Sequence, residues 1–168
     1  KIAKTTDTVG DKKILFIGDS ITSHGAYIGK LKEMIPEITL LGTRQTTGNH
    51  NAAGEDLQYA GFPCEGRGGW AAYNYCNSTT QSGVSGNPFL NNGAFDFAFY
   101  MDNQGYSGVD FVFINLGTND PVRGDKTIEQ MLSCYNQMIN SIHAYDQNIK
   151  VMLWLPPTRA LAANSGHI

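Results

Sequence analysis

An α/β domain, with a mostly parallel sheet and helices on both faces, is the fold this sequence predicts. Three short apolar runs read as strands, two amphipathic stretches read as helices, and polar motifs sit just past the ends of the runs. Strands alternating with helices in this way form βαβ units. Right-handed crossovers then bring the strand C-terminal ends to one edge, where open sheets of this kind bind ligands.

The first run, Lys13 to Ile17, is branched and aromatic and stops at Gly18. The second, Val109 to Leu116, is almost continuously apolar, as expected of a strand covered on both faces, and stops at Gly117. The third, Ile149 to Leu155, stops at Pro156-Pro157, and a weaker candidate spans Ile38 to Thr43. Between them, Tyr27 to Met34 repeats apolar residues at helical spacing and ends at Pro36. Thr127 to Tyr145 is clearer, with Ile128, Met131, Leu132, Tyr135, Met138, Ile139 and Ile142 on one stripe. The stretch from Asn77 to Gly108, rich in Asn, Gly, Ser and aromatics, is either a lid or substrate wall, or a packed surface loop with a short helix.

A chain of 168 residues suits one domain, and its 41% hydrophobic content is enough for a core. With 12 basic and 15 acidic residues the net charge is -3, and no long basic run exists to hold a nucleic-acid backbone or an anionic membrane surface. No apolar stretch approaches the ~20 residues of a membrane helix. The chain opens at Lys1 without a Met or an apolar signal segment, so the natural N-terminus is expected to lie elsewhere. Abundant Gly, Asn, Ser and Tyr with little Lys points to a secreted, periplasmic or cell-surface protein rather than a cytoplasmic one. Of the three cysteines, Cys64 and Cys76 flank one Gly-rich loop and are candidates for pairing in an oxidising compartment; the alternative is three buried thiols. The absence of Cys-x-x-Cys and His-x-x-x-His spacings argues against a zinc site.

Three motifs carry candidate chemistry. Gly18-Asp19-Ser20 follows the first strand, placing a serine at a strand-to-helix turn; the alternative is that Asp19 or Ser20 simply caps that helix. It is not the Gly-x-Ser-x-Gly elbow. Glu65-Gly66-Arg67-Gly68-Gly69-Trp70 offers glycines whose backbone N–H groups can approach a ligand, with a helix expected to start at Trp70; alternatively it is a flexible loop anchored by Trp70. Gly117-Thr118-Asn119-Asp120 follows the central strand and offers an Asn amide, or is an ordinary turn.

In this order and after successive strands, the three motifs resemble the SGNH (GDSL-like) hydrolase superfamily, and within it the bacterial carbohydrate esterases. The resemblance runs from about Lys13 to Leu155. It implies a flavodoxin-like three-layer α/β/α sandwich with no metal and no organic cofactor. It also implies Ser20 as nucleophile, and oxyanion donors from the Ser20 N–H, the Gly69 N–H and the Asn119 side chain. Asp19, Arg67, Trp70 and Asp120 are expected around the substrate. The family's general base and orienting acid stand in an Asp-x-x-His block near its C-terminus, and no such block occurs in this chain. The chain is therefore expected to be a single SGNH domain, incomplete at its C-terminal end, whose His and Asp lie in a missing segment or a second chain. Asn164-Ser165-Gly166-His167 has the spacing but follows the third strand too closely. His24, His50 and His143 read as a helix-start, a loop and a helix-flank residue.

The expected reaction is ester cleavage through an acyl-enzyme on Ser20. Arg67, Trp70, Tyr73, Tyr75 and Tyr100 suggest a polar, aromatic pocket suited to a sugar, hence a small acyl group, acetyl above all, on a glycan. A non-catalytic glycan-binding module of the same fold and a lipase or acyl-thioesterase are the competing readings. A nucleotide binder is disfavoured because the first loop has neither Gly-x-Gly-x-x-Gly nor a Walker Lys.

Overall fold

A computed structural model of the protein describes residues 10–49, 58–120 and 126–154. The first apolar run forms β1 (Lys13–Gly18), in the middle of the sheet. Its side chains alternate as a strand's must: Ile14 and Phe16 point to one face, Leu15 and Ile17 to the other, and all four are buried. Each such burial stabilises the fold by about 1.5–3 kcal/mol. On one side β1 pairs in parallel with β9 (Phe111–Asn115), which pairs in parallel with β10 (Lys150–Leu153). On the other side two strands share its edge: β2 (Thr39–Leu41) takes the first half and β4 (Gln58–Gly66) the last two residues. Antiparallel β3 (Arg44–Asn49) lies beyond β4, giving the order β10-β9-β1-β4-β3 with β2 off this path.

The weaker strand expected over Ile38 to Thr43 is thus only three residues long. At Gly42 the chain passes so close to β4 that a Cβ there would lie 2.3 Å from the Cys64 backbone nitrogen, and β3 begins two residues later. Strands β3 and β4 were not anticipated, because Gly61 and Pro63 argue against a strand. The ladder accommodates them beside a register shift between Gln45 and Thr47.

Helix α1 (Ser20–His24) leads into α2 (Ala26–Met34), whose Ile28 joins Ile14, Phe16, Ile38 and Cys64 in the core on one face. The opposite face carries α3 (Ala72–Asn77), α4 (Phe97–Gln104) and α5 (Ile128–Tyr145) over Leu15, Ile17, Val112 and Ile114. α3 starts at Ala72 rather than at the expected Trp70. Thr127 caps α5 in a capping box with Gln130. The expected stripe of α5 divides: Met138 and Ile142 enter the core, whereas Ile128 and Leu132 are 68% and 52% exposed.

Residues 77–108 contain the short helix that the packed-loop reading expects, together with hairpins it does not. They form two short hairpins, β5–β6 (Thr80–Gln81, Val84–Ser85) and β7–β8 (Leu90–Asn91, Ala94–Phe95), followed by α4. Phe89 stacks on Tyr100 at 4.2 Å and on Phe95 at 4.8 Å between ring centroids. Asn87 ties the segment to α3, its Nδ2 donating to the carbonyls of Tyr75 (2.8 Å) and Ser78 (2.9 Å). All three cysteines are free and buried. Of the two alternatives, three buried thiols is the one observed: the candidate Cys64–Cys76 pair is not formed, since Cys64 lies in the core under α2 and Cys76 in the core on the other side of the sheet. Among the described residues no helix is long and apolar enough to cross a membrane.

Candidate active site

The three motifs emerge side by side. Gly18 at the end of β1 is level with Gly66 of β4 on one side and with Asn115 of β9 on the other. Three adjacent parallel strands therefore deliver their loops to one edge at one height.

In the first motif Asp19 caps α1, its Oδ1 accepting from the Ile21 N–H at 2.9 Å. Ser20 is the first helical residue and is half-buried, so its N–H has no intrahelical partner. Gly18 has no substitute here: a Cβ would lie 1.9 Å from Thr22 Oγ1 and 2.7 Å from the Asn115 carbonyl. Gly66 is as constrained, with a Cβ falling 2.4 Å from the Ser23 backbone nitrogen.

In the second motif the Arg67 N–H donates to the Gly18 carbonyl (2.8 Å), and the Trp70 N–H donates back to the Arg67 carbonyl (3.1 Å). That four-residue turn places Gly69 at φ 74°, the left-handed conformation glycine adopts without cost. Beneath it runs a buried polar network. Arg67 forms an ion pair with Glu65 at 2.5 Å, and its Nε and Nη2 donate to the Gly86 carbonyl at 3.2 and 2.7 Å. Glu65 also accepts from the Thr43 N–H (2.6 Å) and the Tyr100 hydroxyl (3.0 Å). The Tyr75 hydroxyl sits between the Gly18 carbonyl (2.7 Å) and the Glu65 carbonyl.

The third motif closes over the other two. Asn119 Nδ2 donates to the Trp70 carbonyl at 2.9 Å and, more weakly, to Asp19 Oδ2 at 3.4 Å. The Asp120 carboxylate accepts from the Ala72 N–H at 3.2 and 3.3 Å, holding the start of α3. Burial raises the pKa of both Asp19 and Asp120. The Ile21 N–H opposes this at Asp19 and the Ala72 N–H at Asp120, and repulsion from Asp120 raises Asp19 further.

Ser20, Gly69 and Asn119 are thus brought together. The four expected substrate contacts are not on the surface: Asp19, Arg67, Trp70 and Asp120 are only 0%, 1%, 0% and 4% exposed. Each is turned inward because its polar atoms are engaged by the protein, Trp70 Nε1 donating to the Gln81 carbonyl at 3.1 Å. Tyr75 and Tyr100, read as pocket aromatics, are also fully buried. The sequence reading missed Glu65 as the hub of this network. Its signal was a carboxylate two residues before an Arg at a strand end, a spacing that places both on one face. His24 is exposed at the end of α1 and His143 half-buried on α5; neither hydrogen-bonds Ser20. His50, Pro156-Pro157 and Asn164 to His167 lie outside the described residues.

Beside the motifs runs a groove of about 540 Å³, from Gly117 and Asp120 along Met131, Tyr135 and Ile139 to Trp154. It is mostly apolar.

A family model of the GDSL-like lipases/acylhydrolases matches residues 14–164. The chain belongs to this family. Among solved structures it is similar to a carbohydrate esterase family 3 protein from Talaromyces cellulolyticus (21% identity, TM-score 0.55). It is also similar to a serine-to-alanine mutant of an acetyl esterase solved with acetate ion (20% identity, TM-score 0.55). Each likeness covers 84% of this chain and 60% of the other, so the chain spans less than two thirds of either neighbour's length, and at this identity the likeness is one of fold. No curated protein matches the sequence.

Proposed function

We propose that this domain is the nucleophile and oxyanion half of a serine esterase. The observation that carries this is the interlocking of the three motifs, with the Asn119 amide lodged against the Trp70 carbonyl directly after Gly69 and beside Asp19-Ser20. Ser20 Oγ attacks the ester carbonyl, and a His outside the described residues takes its proton. The carbonyl oxygen gains the negative charge and is held by the Ser20 N–H, the Gly69 N–H and the Asn119 amide, whose 3.4 Å contact to Asp19 is long enough to be exchanged for the oxyanion. The tetrahedral intermediate collapses, the alcohol leaves with the proton, and water releases the acid from Ser20 by the same steps.

For substrate, we infer a small acyl group, acetyl, on a carbohydrate. Support comes from the two neighbours of similar fold, one a carbohydrate esterase and the other an acetyl esterase mutant. The buried positions of Trp70, Tyr75 and Tyr100 withdraw the aromatic-platform argument. A longer acyl chain is the second reading, favoured by the apolar groove beside Gly117.

Hydrolysis of p-nitrophenyl esters from acetate to octanoate tests both. Ser20→Ala is expected to abolish turnover, and Asn119→Ala to remove about 3–4 kcal/mol of transition-state stabilisation with the fold intact. Turnover unchanged in Ser20→Ala refutes the esterase reading, and a preference for octanoate replaces the acetyl reading by the second.

A further inference from the structure

We propose that Cys76 and Cys134 are a redox pair, closing to a disulfide between α3 and α5 when the protein meets a low-molecular-weight disulfide such as oxidised glutathione. This is independent of the esterase reading. Although 58 positions apart in sequence, the two residues face each other where α3 packs on α5. Cys76 Sγ lies 3.5 Å from the carbonyl oxygen of Cys134, so its side chain already reaches its partner's backbone. The two thiols are also close enough for each to shift the other's pKa. Cys64, twelve residues from Cys76 in sequence, is excluded because the sheet stands between them.

The pair is asymmetric, and that sets the order of events. Interaction with the Cys76 thiol lowers the pKa of Cys134, against the effect of burial, and Asn77 Nδ2 adds a donor 3.8 Å from the Cys134 sulfur. The same interaction, reinforced by burial, raises the pKa of Cys76. Cys134 is therefore the more readily ionised of the two thiols, and the nucleophile. It lies just beneath the exposed side chain of Asn77, whereas Cys76 is fully enclosed. Cys134 loses its proton to water, and its thiolate attacks one sulfur of the small disulfide, whose S–S bond breaks to release one thiolate. Cys76 then gives its proton to that thiolate and attacks Cys134 Sγ, and the mixed disulfide breaks to release the second small thiolate, which takes up a proton from water. Two protein thiols are oxidised and one small disulfide is reduced to two thiols.

The bridge would act close to the site. α3 begins at Ala72, whose N–H is held by Asp120, so fixing its other end to α5 braces the seam between the second and third motifs.

The test is to incubate the folded full chain with oxidised glutathione, block free thiols with N-ethylmaleimide and map peptides without reduction. The expected result is the loss of two hydrogens in intact mass and a fall from three free thiols to one. A single cross-linked peptide pair should contain Cys76 and Cys134, with Cys64 alkylated and the bridge reversed by dithiothreitol. Cys64→Ser should form the same bridge. Cys76→Ser, if folded, should retain glutathione on Cys134. Three free thiols after oxidation, or a link through Cys64, would overturn the pairing, and a persistent glutathione adduct on wild-type Cys134 would overturn the closure.

Discussion

The two flanks of the candidate site are built to different standards. On the β4 side every polar group under the Gly-rich turn has a partner: Glu65, Arg67, Tyr75 and Tyr100 share one buried network roofed by stacked rings. On the β10 side Ile128, Leu132, Leu153 and Trp154 are 45–68% exposed, although the Trp154 ring packs against Tyr27 at 5.1 Å between centroids. The difference matters because oxyanion donors must be held before charge develops, whereas a base needs only to arrive in reach. The well-built flank is the one that carries Gly69 and touches Asn119.

The largest effect should come from breaking the closed flank. Arg67→Met leaves Glu65 without its cation at full burial, and should cost about 3–5 kcal/mol in urea unfolding. A loss below about 1 kcal/mol would mean the network is ornamental and the two flanks are energetically alike.

A second, smaller effect concerns pH at the seam of the flanks. Burial sets the folded-state pKa of Asp19 and Asp120 above the ordinary value of 3.8. In the window between the two values the folded state binds more protons than the unfolded one, so these carboxyls contribute stability that declines as pH rises. Asp120→Asn removes one of them while an amide oxygen can still accept from Ala72. Its stability should therefore decline less than the wild type's as pH rises from about 4, measured as urea midpoints. An equal pH slope would show that Asp120 ionises in place without penalty.

The smallest effect is expected on the open flank. Leu132→Lys, on the exposed face of α5, should change stability by less than about 0.5 kcal/mol. A loss above about 2 kcal/mol would reveal a cover over the groove and sharpen the contrast into one between two closed flanks.

What could be read from the sequence followed the same division. β1, β9, β10, α2 and α5 were legible because apolar period and punctuation agree there, as in Lys13–Ile17 ending at Gly18. The placement of Ser20, Gly69 and Asn119 just past the ends of adjacent strands was legible; their roles are those proposed above. β3 and β4 were not, because Thr46 is buried as a polar residue, donating to the Tyr59 carbonyl (2.6 Å) and accepting from the Phe62 N–H (3.0 Å). Hydrophobic patterning is blind to such a strand. Arg67 and Trp70 were placed on the surface for a related reason: composition shows that a residue can bind a ligand, but only tertiary packing shows which way it points.

The level alignment of Gly18, Gly66 and Asn115 sets how this domain can change over evolutionary time. A single residue gained or lost inside β1, β4 or β9 would displace one loop by about 3.3 Å and turn its strand inside out. Length variation should therefore be confined to the opposite rim, where the strands begin, and to outlying segments such as the two hairpins between α3 and α4. For anyone recombining this domain with a relative, strand length counted back from the three motifs is the quantity to conserve, ahead of residue identity.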